Sequence, residues 1–161
     1  MAKALKNNNY KIIGYKKTKI KKTQFKMYYG NQLQKFVKSV DVLINVLPNT
    51  DATNNFINSK ILSLMKKKSL FISIGRGATV NESDLVRHLK KNKSFYASLD
   101  VFQNEPLSKK SALWSLPNVN ITPHVASITL IDSAIDLMFE NYLNYKKTKK
   151  TKSNVDLTKG Y

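Results

Sequence analysis

The chain has no cysteine, which excludes a disulfide framework and any thiolate metal site. His88 and His124 are its only histidines, so a zinc site would need carboxylates as well. Long apolar runs are also lacking. The longest, such as 42–48 and 69–74, fall far short of the roughly 20 residues that span a bilayer, and none sits behind a basic start. No internal repeat or long low-complexity segment interrupts the chain. Together these absences point to a globular domain in a reducing, cytoplasmic setting. At 161 residues and 42% hydrophobic content, the chain can bury one core of ordinary size.

Acids are scarce: 10 Asp and Glu stand against 28 Lys and Arg, for a net charge of +18. A strongly basic domain raises nucleic-acid binding as one reading. Against it, only Arg76 and Arg87 are arginine, the side chain whose fork suits bases and phosphates. The lysine excess also comes with 17 asparagines, including Asn7, Asn8 and Asn9, as in a composition biased throughout. Salt-sensitive adhesion to polyanions needs only charge and is expected. The charge is uneven: residues 1–40 hold 11 lysines and no acid, and a second basic stretch runs from Lys146 to Lys152.

Between these stretches, short apolar runs alternate with helical patterns, the signature of βα units and a parallel sheet. The predicted strands are Lys11–Tyr15, Val40–Leu47, Leu70–Ile74, Phe95–Val101 and Val119–Thr122. Helices are expected at Ala2–Lys6, Gln32–Lys38, from a cap at Asn58 or Ser59 to Met65, and at Leu85–Lys90 behind an Asn81/Asp84 capping box. A final amphipathic helix, Thr129–Tyr145, carries Ile131, Ile135, Met138, Phe139 and Tyr142 on one stripe, which reads as packing. His88 reads as a solvated helix residue, Trp114 and Phe102 as packing, and Tyr28 and Tyr29 as surface or core.

Polar residues cluster just past the predicted strands: Arg76 in Gly75-Arg76-Gly77, Asp100 and Glu105, and His124 after Pro123. In an open parallel α/β sheet, ligands bind outside the carboxyl ends of the strands, so these residues can converge although distant in sequence. An arginine, a carboxylate and an imidazole are the parts needed to hold a 2-keto acid and protonate its carbonyl.

The run from Val40 to Thr50, the Gly75-Arg76-Gly77 turn, Leu99-Asp100-Val101-Phe102 leading to Glu105-Pro106, Leu113-Trp114 and Thr122-Pro123-His124 resemble, in this order, the D-isomer-specific 2-hydroxyacid dehydrogenases. The segment from Thr122 to Thr129 and the terminal Lys159-Gly160-Tyr161 are most similar to the glyoxylate/hydroxypyruvate reductase A branch. The resemblance implies an oxidoreductase with a Rossmann-like α/β fold that reduces a small 2-keto acid with a nicotinamide cofactor. It further implies that Arg76 holds the substrate carboxylate, His124 is the general acid, Glu105 hydrogen-bonds the imidazole, and Asp100 accepts from the nicotinamide carboxamide.

The same resemblance places Lys16, Lys17 and Thr18 at the adenosine end. No acid stands there to bind a ribose hydroxyl, and lysines suit an extra phosphate, so NADP(H) is preferred and NAD(H) remains possible. Leu47 and Pro48 would wall the adenine side, with Ile74 and Gly75 beside the cofactor. The family's glycine-rich G-x-G-x-x-G loop and its preceding strand do not occur in the sequence, and Ser73 and Gly75 stand where the family often has asparagine and alanine. The expectation is an incomplete dinucleotide-binding domain, residues 1–128, and a carboxyl-terminal helix and tail, residues 129–161, returning towards a substrate domain. The partners that the resemblance implies are a homodimeric copy or a complementing amino-terminal chain. A non-catalytic remnant or binding module of the same fold is the alternative to catalysis.

Overall fold

Eleven short elements follow one another in the computed structural model, which describes residues 1–127 and 130–151. In chain order they are α1 (Ala2–Asn7), β1 (Ile13–Lys16), β2 (Lys26–Tyr29), α2 (Leu33–Ser39), β3 (Val42–Asn45), α3 (Ser59–Leu64), β4 (Leu70–Ser73), α4 (Glu82–Lys91), β5 (Tyr96–Leu99), β6 (Val119–Ile121) and α5 (Ile131–Thr148). All strand pairing is parallel, but it falls into two sheets. β1 pairs only with β2, while β3, β4, β5 and β6 lie side by side in sequence order. This is the α/β architecture expected from the alternation of apolar runs and helical patterns.

The register fixes which side chains face the core. Leu43, Phe71 and Ala97 share one row, and Asn45, Ser73 and Leu99 another; all six are buried. Against this face α3 packs Ile61 and Leu62, and α4 packs Leu85 and Leu89. Phe71, Phe95, Leu62, Leu85, Leu89 and Leu113 are fully enclosed, each worth roughly 1.5–3 kcal/mol of transfer free energy.

Both helices begin where asparagine marks them. The Asn58 side chain accepts the Lys60 and Ile61 N–H groups, and the Asn81 side chain accepts the Asp84 N–H at 3.0 Å. The expected capping box is only half formed. The Asp84 carboxylate turns instead to the Ser59 N–H at 2.8 Å and to Arg87, tying the start of α4 to the start of α3.

One strand had no sequence expectation, and two expectations are corrected. Residues 26–29 form a strand, because pairing with β1 and packing of Tyr28 on Phe36 override a lysine-interrupted sequence without clear alternation. His88 is half-buried and meets the Phe95 ring edge-on at 4.6 Å, so it is not solvated; burial and the neighbouring Lys91 lower its pKa. The apolar stripe of α5 is not packed: none of that helix's residues is buried. Ile128, Thr129 and the terminal Lys159-Gly160-Tyr161 lie outside the described residues.

Candidate active site

Because β3 to β6 run in the same direction, the segments that follow them emerge along one edge of the sheet. Arg76 follows β4, Asp100 and Glu105 follow β5, and His124 follows β6.

The Arg76 turn is shaped from beneath. Buried Asn45 donates to Ser73 Oγ at 3.1 Å and Thr79 Oγ1 at 2.8 Å, while its carbonyl oxygen accepts the Leu47 N–H at 3.2 Å. Thr79 in turn donates to the Arg76 carbonyl at 2.6 Å. The two flanking glycines are required by close backbone approach on both sides. A Cβ on Gly75 would lie 2.7 Å from the Leu47 carbonyl oxygen, and one on Gly77 would lie 1.8 Å from that of Phe102. The turn is thus pressed between the β3 and β5 loops. It leaves the Arg76 side chain exposed, with Nη1 donating to the Gly75 carbonyl and no ion pair among the described residues.

Glu105 and His124 meet directly. Glu105 Oε2 lies 2.7 Å from His124 Nδ1, and Oε1 accepts the Phe102 N–H at 2.9 Å. With an ionised Glu105, Nδ1 carries the shared proton and Nε2 is left as the nitrogen open to a ligand. Burial alone would raise the Glu105 pKa, but the hydrogen bonds from His124 and Phe102, with the imidazole's charge, outweigh it and hold the carboxyl below its ordinary value. Both side chains remain reachable, at 36% and 47% exposure respectively.

Asp100, 4% exposed, organises the loop that presents His124. Its Oδ1 accepts from Thr122 Oγ1 and the Val125 N–H, its Oδ2 accepts the Ala126 N–H, and its carbonyl accepts the His124 N–H at 2.9 Å. This network holds His124 in the left-handed region at φ +54°, an uncommon conformation for a side chain other than glycine. Burial raises the Asp100 pKa, yet the Thr122, Ala126 and Val125 hydrogen bonds prevail and lower it. Of about four lone-pair positions on a carboxylate, three are taken by this loop.

Further residues, not singled out by sequence, support the same loops. The Gln103 N–H donates to Glu82 Oε1 at 2.6 Å, and its amide nitrogen reaches the Val80 carbonyl at 2.9 Å and Asn55 Oδ1 at 3.2 Å. Gln103 therefore fastens the Glu105 loop to the segment following Arg76. A buried asparagine inside a strand-like run was the one sequence signal for Asn45; Gln103 and Glu82 had none.

The residues expected at the cofactor fall into two groups. Leu47, Pro48 and Ile74 are half-buried beside Gly75 at the edge of the larger sheet, with the Pro48 carbonyl held by Thr53 Oγ1 at 2.6 Å. Lys16 ends β1 of the smaller sheet, and Lys17 and Thr18 follow it; all three are exposed. Phe102 is buried packing, whereas Trp114 is largely exposed and donates its indole N–H to the Ser108 carbonyl. Among the described residues no helix is long and apolar enough to cross a membrane.

Comparisons with known proteins agree with this fold. Glyoxylate/hydroxypyruvate reductase A of Photorhabdus laumondii is 40% identical over 131 residues, covering 81% of this chain and 42% of that protein. The chain therefore spans less than half the length of that relative. A D-isomer specific 2-hydroxyacid dehydrogenase from Xanthobacter autotrophicus in complex with NADPH superposes with a TM-score of 0.93 at 29% identity, over 99% of this chain and 66% of that one. The NADPH-dependent glyoxylate/hydroxypyruvate reductase of Sinorhizobium meliloti in complex with NADP gives 0.92 at 29% identity, over 99% and 52%. The family model for the D-isomer specific 2-hydroxyacid dehydrogenase NAD binding domain matches residues 1–126, and the chain belongs to that family.

Proposed function

We propose that this chain carries the acid-donating and carboxylate-binding residues of an NADP(H)-dependent reductase acting on a small 2-keto acid of the glyoxylate or hydroxypyruvate type. The observation that carries the reading is the Glu105–His124 contact at 2.7 Å, which fixes the ring and leaves Nε2 free at the same sheet end from which the exposed Arg76 emerges. Arg76 binds the substrate carboxylate through its guanidinium fork and draws the keto oxygen towards the imidazole. His124 gives a proton from Nε2 to that oxygen, and Glu105 stabilises the ring through Nδ1. The nicotinamide, when bound, supplies the hydride.

The residues present fit that cofactor in part. Lys16, Lys17 and Thr18, with no acid among them, suit the phosphate that distinguishes NADP from NAD. Leu47 and Pro48 offer an apolar wall for the adenine, and Asp100 keeps one lone pair for the carboxamide. No G-x-G-x-x-G occurs in the 161 residues, so a principal pyrophosphate anchor is not among them. The 161-residue polypeptide by itself is expected to bind NADPH weakly. Joining it to the part of the Photorhabdus relative outside the matched 131 residues should give a polypeptide that oxidises NADPH with glyoxylate or hydroxypyruvate. A folded, NADPH-binding fusion inert towards every small 2-keto acid would contradict the reading.

A further inference from the structure

Three buried polar side chains meet beneath the Arg76 turn. Asn45 ends β3 and Ser73 ends β4, and Thr79 lies three residues past the arginine; none is more than 3% exposed. Their hydrogen bonds run in one direction. The Asn45 side-chain oxygen accepts the Leu47 N–H, so its nitrogen donates, to Ser73 Oγ at 3.1 Å and to Thr79 Oγ1 at 2.8 Å. The Thr79 hydroxyl proton is thereby left for the Arg76 carbonyl, at 2.6 Å, and the Thr79 N–H reaches the same carbonyl at 3.1 Å.

Stability alone does not call for this relay. Replacing both partners of a buried hydrogen bond by apolar groups of the same shape is often nearly neutral, whereas a fully satisfied polar network fixes one geometry. What it fixes here is the backbone that carries the arginine. Arg76 is extended, at φ −133° and ψ 138°, with its carbonyl held twice by Thr79 and its side chain exposed. The relay also reaches the segment after β3. Asn45 holds the Leu47 N–H through its side chain and the Ile74 N–H through its carbonyl, while the Asn55 and Ile57 N–H groups donate to the Ala78 and Thr79 carbonyls at 2.9 Å each.

We infer that Asn45 and Thr79 are positioning residues for Arg76, and that Asn45 sets Leu47 through the same amide. One buried relay thus places both the arginine that takes the substrate carboxylate and the wall offered to the adenine. Removing the Thr79 hydroxyl takes one of two donors from the Arg76 carbonyl and leaves an Asn45 N–H unmatched in the core. The turn then shifts, and a misplacement of about 1 Å can cost on the order of 100-fold in rate.

This rests on the reading of Arg76 as the carboxylate-binding group, and the test separates the two. In the polypeptide completed as above, Thr79→Val keeps the side-chain shape and loses the hydroxyl. It should raise KM for glyoxylate or hydroxypyruvate at least about 10-fold, with NADPH affinity unchanged. Thr79→Ser, which keeps the hydroxyl, should recover most of that loss. Asn45→Ala acts from the other end of the relay and should weaken both keto acid and NADPH, because Leu47 loses its anchor as well. In an Arg76→Ala background, Thr79→Val should add no further loss, since no guanidinium remains to be placed. An active natural polypeptide whose Thr79→Val variant keeps its KM, or loses as much again on top of Arg76→Ala, overturns the inference and leaves the reading of Arg76 standing. A natural polypeptide inert towards 2-keto acids overturns both. The 161-residue chain gives a readout free of catalysis: by NMR the Thr79 hydroxyl proton should exchange slowly with water and lie close to the Asn45 side-chain amide protons. A hydroxyl that exchanges at once overturns the relay whatever the kinetics.

Discussion

The two sheets share parallel pairing but differ in what holds them. β3 to β6 rest on fully enclosed side chains such as Phe71 and Phe95, and the loops at their ends are bound to one another by Asn45, Asp100 and Gln103. β1 and β2 contain no buried residue; their support is the stacking of Tyr15 and Tyr28 on Phe36 and the half-buried Ile13 against the main core. The acid–base pair sits on the braced sheet. The lysines expected to meet the cofactor phosphate sit on the other. Under the proposed function, proton transfer would lie on the better-packed half and phosphate recognition on the less packed one.

Core truncation is the strongest way to break this contrast. Phe71→Ala should cost about 3–5 kcal/mol, whereas Tyr28→Ala should cost about 0.5–1.5 kcal/mol, the worth of an aromatic contact. Urea melts of the two variants compare them; equal losses would show that the sheets are equally held. Amide exchange should agree, with Phe71 and Ala97 protected far longer than Gly14 and Met27.

A smaller effect sharpens the comparison within the braced half. Asp100→Asn keeps one acceptor but turns an amide donor against the backbone N–H groups of the His124 loop. About 1.5–3 kcal/mol of charge-assisted hydrogen bonding should be lost, and the His124 and Ala126 amide resonances should shift while those of β1 and β2 stay in place. Unmoved loop resonances would mean that Asp100 does not organise it.

Acidification gives the smallest effect, and its sign follows from the carboxylates. Asp100 and Glu105 both have folded pKa values below the ordinary 3.8 and 4.5. Their contribution is therefore complete above those ordinary values and is lost as pH falls through the lower folded ones. Residues 1–40 contain no acid, so the loss should appear first at the β5 and β6 loops. Denaturation midpoints between pH 5 and pH 2 should fall less steeply in Glu105→Gln than in the natural chain.

Much of the braced half was legible in the sequence. Its strands are continuous apolar runs, three of them closed by Pro48, Gly75 or Pro123; Arg76 and His124 stand just past two of those stops, and Asp100 directly follows β5. Asn58 and Asn81 marked the helix starts because a side-chain oxygen caps a helix locally. What was not legible depends on contacts between distant segments. β2 is a strand only because β1 lies beside it, and His88 leaves solvent only because Phe95 comes up against it. The glycines around Arg76 are explained by Leu47 and Phe102, and Asp100 binds backbone N–H groups more than 20 residues away, which no local pattern records. The stripe of α5 was read correctly as amphipathic, but periodicity cannot say whether its partner lies in the same fold.

The central claim is that His124, held by Glu105, protonates the keto oxygen. In the polypeptide completed with the relative's remaining segment, His124→Ala should lower kcat for glyoxylate or hydroxypyruvate reduction by about 10²–10⁴-fold, the usual worth of a general acid. NADPH affinity, measured by fluorescence titration, should be unchanged, since the imidazole touches the substrate and not the adenosine end. A variant that keeps its turnover, or one that loses turnover only in proportion to lost NADPH binding, would contradict the account.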